Sequence, residues 1–471
     1  MIRKKYPVWH FDATGSILKH INGQKKPYLY SLVSHDQEKK IILPIAEFFT
    51  TSHNSTSISK YLTSIKKILF DGIVGNKLIL FSIIDMNSYS WILIFKPSHT
   101  GPKAFIIAPF IVVDFSWALI NAIIRTFNNC SVAHYIKWSY DVIHNYHDNT
   151  DMNHYMSTRV ILCQVHILKK MAQKASDIIK LKKAVKFESY NKIKEIFLYG
   201  FTILQNSMTV NEFDDTLKYL YFTLNSEFNS DMVSISIDKL RKKIYQRNSG
   251  MFDKEENFVN FDDTKKDIYI NDDDYNSIKV QSPFSEYYKN MISSLSNSVV
   301  KSSCHENEFY MPEFFELISE KLYLMPLWSG ILIKQGQKII VENDLVELDS
   351  KILNITRLDN NFVENHFGHY KYNLFQRRRD LVISEIAGPI YKRLKAKYIE
   401  HYTDQDLNVR HKEKRDDIDN KLECWKDRNR NSSKRTKSHY YKGLIQPSLT
   451  QSAEKIVDHP IENDNCKIFL F

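Results

Sequence analysis

Residues 105–128 read FIIAPFIVVDFSWALINAIIRTFN, and this stretch sets the fold class. Its first half, Phe105–Phe115, is apolar on both faces, as a central strand covered by helices on either side must be. Asp114 stands at the strand's end. Ser116 follows as a candidate helix cap. Ala118, Leu119, Ala122, Ile123 and Phe127 then recur at helical spacing, with small residues where the helix must approach a sheet. A buried strand running directly into a packed helix points to α/β layers.

The same texture extends on both sides. Val8–Asp12 is a short apolar strand ending in HFDATG (10–15), whose Thr14 and Gly15 favour a turn. Tyr28–Val33, Ile41–Phe48, Leu78–Ile84, Trp91–Phe95 and Val160–Leu162 are further strands, rich in β-branched and aromatic residues. Ser55–Phe70 carries Ile58, Leu62, Ile65 and Leu69 at helical spacing, and Gln164–Lys180 is amphipathic. From Leu181 the pattern becomes helical (Tyr190–Leu204, Phe213–Leu224, Val233–Gln246, Pro312–Leu324) with acidic loops such as DDTKKDIYINDDDYN (262–276). One more amphipathic helix is predicted at Asn361–Phe375. The expected organisation is a mixed sheet flanked by helices over 1–180, an α-helical insertion over 181–354, a returning helical region over 355–397, and a basic, flexible tail over 398–471.

Composition narrows the function. The chain is 43% hydrophobic, enough for sizeable cores. Its five cysteines, Cys130, Cys163, Cys304, Cys424 and Cys466, are scattered, with no CxxC pair, which fits a reducing compartment. The N-terminus lacks an apolar signal-peptide region, and no apolar run is long enough for a bilayer, so a soluble intracellular protein without a membrane partner is expected. The formal charge is +10, and Lys392–Lys442 holds 16 Lys/Arg against 9 Asp/Glu. Such a segment attracts polyanions by counterion release, or else is a solvated tail. No phosphate-binding loop, dinucleotide fingerprint or nucleophile elbow is present, so no nucleotide cofactor is expected.

Two carboxylates, Asp12 and Asp114, sit at strand ends. A third, Glu364, lies one position off the stripe Val363, Phe367, Tyr370 and Leu374, at the edge of a helix's buried face. Lys371 lies seven residues on, where it could meet a phosphate. Three converging carboxylates repel one another until hard divalent cations intervene, and a pair of such ions supports in-line phosphoryl displacement.

HFDATG, ILPIAEFFTTSHNSTSISKYL (42–62), VVDFSWALINAI (112–123), CQVH (163–166) and RLDNNFVENHFGHYK (357–371) together resemble the Mutator-like DDE transposases, which belong to the wider RNase H-like superfamily that includes the hAT group. The resemblance covers Val8–Lys174 and Ile355–Tyr391, with the helical module as the insertion before the last catalytic helix. It implies an RNase H-like sheet in which Asp12, Asp114 and Glu364 hold two Mg²⁺ ions, with Mn²⁺ as a substitute. Cys163 and His166 match a Cys-x-x-His element that supports the site and DNA. Zinc is not expected, because no second Cys/His pair accompanies them. The implied function is cleavage and strand transfer at transposon ends, on transposon and target DNA, by a nuclear homo-oligomer assembled on DNA. The alternative is an inactive or host-retained DNA- or protein-binding derivative. A nuclease unrelated to transposition would lack the helical insertion. Two departures point to a partial copy: a start just before the first strand, without the N-terminal DNA-binding region, and a long Gly72–Lys103 link, read as an insertion or a mispredicted segment.

Overall fold

The computed structural model describes residues 8–20, 26–36, 41–70, 78–85, 88–95, 108–144, 158–182, 187–248, 278–297, 305–336, 338–341, 344–347, 359–378, 380–403, 461–463 and 466–470. At its centre lie β1 (Val8–Thr14), β2 (Tyr28–Asp36) and β3 (Ile41–Thr50), followed by the helix α1 (Ser55–Phe70). The hairpin β4 (Leu78–Asp85) and β5 (Ser88–Phe95) comes next, then β6 (Phe110–Val113), α2 (Trp117–Ile123), α3 (Val132–Ile143), β7 (Arg159–Leu162) and α4 (Gln164–Leu181). β1–β2–β3 are antiparallel, whereas β1–β6 and β6–β7 are parallel, so the five form one mixed sheet in the order β3-β2-β1-β6-β7. The class is α/β.

Side-chain alternation explains the layering. Trp9, Phe11, Tyr30, Leu32, Phe48, Ile111 and Val113 face Ile58, Leu62 and Ile65 of α1 and Leu119 and Ile123 of α2. On the other face, Leu29, Val33 and Phe49 meet Val363, Phe367 and Tyr370. Val363 and Phe367 belong to a late helix, α12, introduced below, and Tyr370 to the turn that follows it. Burying one such large side chain contributes about 1.5–3 kcal/mol. β3 contains Pro44, which a sheet tolerates at a bulge. Val33 pairs with Pro44 while Leu32 pairs with Ala46, which leaves Ile45 as the extra residue.

The helical module holds α5 (Phe187–Gln205), α6 (Val210–Asn225), α7 (Asp231–Asn248), α8 (Pro283–Asn297), α9 (Pro312–Ser319), α10 (Met325–Trp328) and α11 (Ile331–Gly336). Its Phe197, Phe201, Phe213 and Trp328 continue the apolar cluster of the first sheet face. A separate hairpin, β8 (Lys338–Val341) and β9 (Asp344–Glu347), stays outside the main sheet. Then come α12 (Asn361–His369) and α13 (Ile383–Thr403). Among the described residues no helix is long and apolar enough to cross a membrane.

Several elements differ from expectation. The strand expected at 105–115 pairs only over Phe110–Val113, beginning after Pro109, which has no amide hydrogen to donate; residues 105–107 lie outside the described set. Ser116 precedes α2 but makes no side-chain cap. The helix expected at Pro312–Leu324 ends at Ser319, where the i−3 bonds of Lys321 and Leu324 tighten the chain into a 3₁₀ turn. The helix expected at Asn361–Phe375 widens into a π-turn over Tyr370–Leu374, closed by the Phe375 amide on the Tyr370 carbonyl at 2.9 Å. Gln376 and Arg377, at φ 49° and 64°, then end it. The long 72–103 link contributes β4 and β5, which extend the sheet beyond β3. In the stretch expected to be tail, α13 continues to Thr403, and β10 (Ile461–Asn463) and β11 (Cys466–Leu470) join the sheet edge through β4. Residues 404–460, which include most of the basic segment, and the acidic loop 262–276 lie outside the described residues.

Candidate active site

Phe11 and Val113 are register partners in the parallel pair β1–β6. The next residue on each chain is an acid, so Asp12 and Asp114 stand side by side where the two strands stop pairing. Both project to the face that α12 covers, because side chains one step along a strand switch faces. Asp12 is 5% exposed.

Asn360 fastens α12 over this corner. Its side-chain amide donates to the Phe11 carbonyl at 3.3 Å and to Asp114 Oδ1 at 3.1 Å, while its backbone amide donates to Cys163 Sγ at 3.2 Å. An Asn at a helix start usually caps its own helix. Here that side chain is spent on the sheet instead, and no cap bond forms. Glu364 follows in the first turn. His166, in the first turn of α4 after β7, stands between the acids: Nδ1 lies 2.9 Å from Asp114 Oδ1 and Nε2 lies 3.0 Å from Glu364 Oε1.

An imidazole with a carboxylate at each nitrogen is held as imidazolium, since only that form carries a donor on both. Burial opposes the charge, but contacts with Asp114, Cys163 and Glu364 outweigh it and lift the His166 pKa to about 12. For Glu364, burial likewise opposes ionisation, and the His166 contact overcomes it, holding the carboxyl below its usual range.

Of the residues singled out in the sequence, Asp12, Asp114, Glu364, Cys163 and His166 are brought to this corner. Lys371 lies in the wide turn after α12, partly exposed. The donor chemistry is of two kinds. Asp12 and Asp114 offer hard oxygens where β1 and β6 stop pairing, a donor type that suits Mg²⁺ or Mn²⁺. Asp114, Cys163 and His166 bring a carboxylate, a thiol and an imidazole within 4.8 Å of one another, a softer set of the kind zinc also accepts. Cys163 Sγ accepts from the Asn360 amide, and both His166 nitrogens face carboxylates.

A second polar cluster lies under the same helix. Asp12 pairs across the strands with Ser31, and Ser31 with Glu47, so the three form a row across β1, β2 and β3. Glu47 Oε1 accepts from Ser31 Oγ at 3.0 Å and from Tyr370 Oη at 2.8 Å, and lies 2.6 Å from His366 Nε2. Glu47 is fully buried, and sequence reasoning passed over it as a strand residue. Asn360 was missed as well; the doubled asparagine before VENHF was its only trace.

No protein-family model matches the chain, and no characterised protein or solved structure is significantly similar to it.

Proposed function

We propose that this chain is the catalytic part of a DDE-type DNA transposase with an RNase H-like core, cutting and joining phosphodiester bonds at transposon ends. One observation carries the reading. Two acids stand side by side where adjacent parallel strands of a mixed sheet stop pairing, and a helix arriving from beyond a large helical module brings a third acid to the same corner. The order of elements and the inserted module agree with the resemblance drawn from the sequence.

In this reading Asp12, Asp114 and Glu364 hold two hard divalent cations, Mg²⁺ or Mn²⁺. Such ions, when bound, stabilise the attacking and leaving oxygens of an in-line displacement. The chain's own residues set the stage. Asn360 and His166 both hold Asp114 Oδ1, which fixes the orientation of that carboxylate. Cys163 pins the start of α12, and His166 offsets the mutual repulsion of Asp114 and Glu364. In this reading Lys371 and the positive charge of the 392–442 sequence would meet phosphates. The substrate implies a nuclear protein that acts as a homo-oligomer on transposon and target DNA.

The test uses the full chain with duplex carrying the terminal repeats that flank its gene. Mg²⁺- or Mn²⁺-dependent cleavage is expected, and Asp12→Asn, Asp114→Asn and Glu364→Gln should each abolish it, with little further loss on combination, because groups that act as a unit are non-additive. Equal cleavage by Glu364→Gln would overturn the site. A second reading, a retained DNA-binding derivative, is favoured by the His166 bridge, which already engages two of the three acids. Wild-type binding without cleavage under any divalent ion would select it.

A further inference from the structure

On the opposite sheet face, α1 and the π-turn Ile124–Asn128 that ends α2 enclose a pocket of about 500 Å³, lined by Ser59, Thr63, Lys66, Lys67, Arg125, Thr126 and Asn129. Three of the seven residues are cations, and every other one carries a hydrogen-bonding side chain. No carboxylate is among them. Opposite charges normally intersperse on a surface, so a pocket of one sign is a field without its counterpart.

The walls are built. Ser59 Oγ and Thr126 Oγ1 lie 2.8 Å apart, and Lys66 Nζ donates to the Thr126 carbonyl at 2.9 Å. These bonds join two elements 60 and 67 residues apart in sequence and fix the floor. The wide turn is part of the construction: it ends at Asn129, whose left-handed φ of 54° turns the chain away and leaves the rim open. Lys67, Arg125, Thr63 and Asn129 are exposed on that rim. Among the described residues no ion pair engages Lys66, Lys67 or Arg125. The helix C-terminus pointing here contributes roughly half a negative charge, far less than three side-chain cations supply. Burial also lowers the Lys66 pKa, as expected for an ammonium with a carbonyl and no carboxylate beside it.

We propose that this pocket binds a phosphate group, with Lys67 and Arg125 as its mobile arms and Lys66, Ser59 and Thr126 as its floor. The open, cationic rim suits a phosphate carried on a passing polymer, so the favoured source is a nucleic-acid backbone. That choice of source rests on the proposed function; the anion site itself does not. α2 starts three residues beyond Asp114, and α2 with its wide turn runs about 17 Å at 1.5 Å per residue. The pocket is therefore a contact separate from the acidic corner, and losing it should leave the acids untouched.

The experiment compares the full wild-type chain with Lys67→Ala/Arg125→Ala and with a control of equal charge loss, Lys239→Ala/Lys242→Ala, all at exposed positions. Duplex DNA of arbitrary sequence is titrated across a salt series, and inorganic phosphate and pyrophosphate are titrated separately. The expected result is weaker DNA binding by the pocket variant and a salt slope smaller by about 1–2, since each lost phosphate contact removes about 0.9. The control should keep its slope, and Arg125→Lys should retain most of the affinity. If DNA binding is absent or unaffected while phosphate or pyrophosphate binds wild type and not the pocket variant, the site stands and its source is a free phosphoanion. No difference from wild type in either titration, or an equal slope change in the control, overturns the proposal.

Discussion

Two histidines face carboxylates in this molecule, and they carry opposite charge preferences. His166 lies at the rim of the sheet, 18% exposed, with Asp114 on one nitrogen and Glu364 on the other. His366, on the buried face of α12, is 1% exposed, with Glu47 as its acidic partner and Lys397 and Arg393 adding repulsion. The first is driven strongly towards imidazolium. For the second, burial comes first and lowers the pKa despite a carboxylate at 2.6 Å. A close carboxylate therefore does not by itself charge a histidine. The number of acids must be set against the depth of burial.

The contrast breaks most easily at Glu47. Glu47→Ala removes the acceptor shared by Ser31, His366 and Tyr370, leaving buried donors that each cost about 1–3 kcal/mol. A loss of about 3–5 kcal/mol in urea unfolding is expected, with Tyr370→Phe losing about 1–2. A Glu47→Ala loss under about 1 kcal/mol would mean that this cluster does not hold the helix to the sheet.

Acid sharpens the comparison. His366 and the buried His10, whose pKa is lowered to about 3, stay neutral in the fold while the unfolded chain takes up protons near 6.5. Their contribution is whole above pH 6.5 and is lost as pH falls, at about 1.4 kcal/mol per unit for His10 and in the same direction for His366. His166 has the opposite sign: its contribution is complete below 6.5 and fades as pH rises towards about 12. The urea midpoint should therefore fall from pH 7.5 to 5.5. Ring-nitrogen NMR shifts should show His166 as imidazolium and His366 as neutral at the same pH of 8. A neutral His166 at pH 8 would erase the contrast.

The smallest effect belongs to the rim itself. His166→Gln keeps one donor and removes the cation, in a partly solvated place where ion pairs are worth about 1 kcal/mol or less. The variant's two acids are then left to repel, so Mg²⁺ should raise its melting temperature more than that of wild type. Equal shifts in both proteins would separate His166 from any cation binding at this corner.

These sites differ in how far they could be read from residues alone. Asp114 was visible because an acid directly after four apolar strand residues marks the strand's exit; Asp12 was read the same way, but β1 runs on to Thr14 against β2, and only its pairing with β6 stops at Phe11. Glu364 was placed by helical phase against Val363 and Phe367. Glu47 was not, because its partners His366 and Tyr370 stand 319 and 323 residues away and local pattern carries no such distance. His166 was seen only as half of a Cys-x-x-His spacing. Its bridging role depends on β7 ending beside β6, a fact of topology. The π-turns after α2 and α12 leave no periodic trace, since each spans a single turn.

The bulge at Ile45 decides the parity of β3. Beyond it Glu47 and Phe49, odd positions, look towards α12; before it Ile42 and Pro44, even positions, look the same way. One surplus residue lets a single strand serve the same side of the sheet in both halves. Loss of one codon at this point would restore simple alternation and force a choice: either Glu47 exchanges places with Phe48 and abandons His366, or Ile42 turns away from the helix that covers it. A deletion of three nucleotides in a strand that carries none of the candidate acids would in this way reach the helix that carries Glu364.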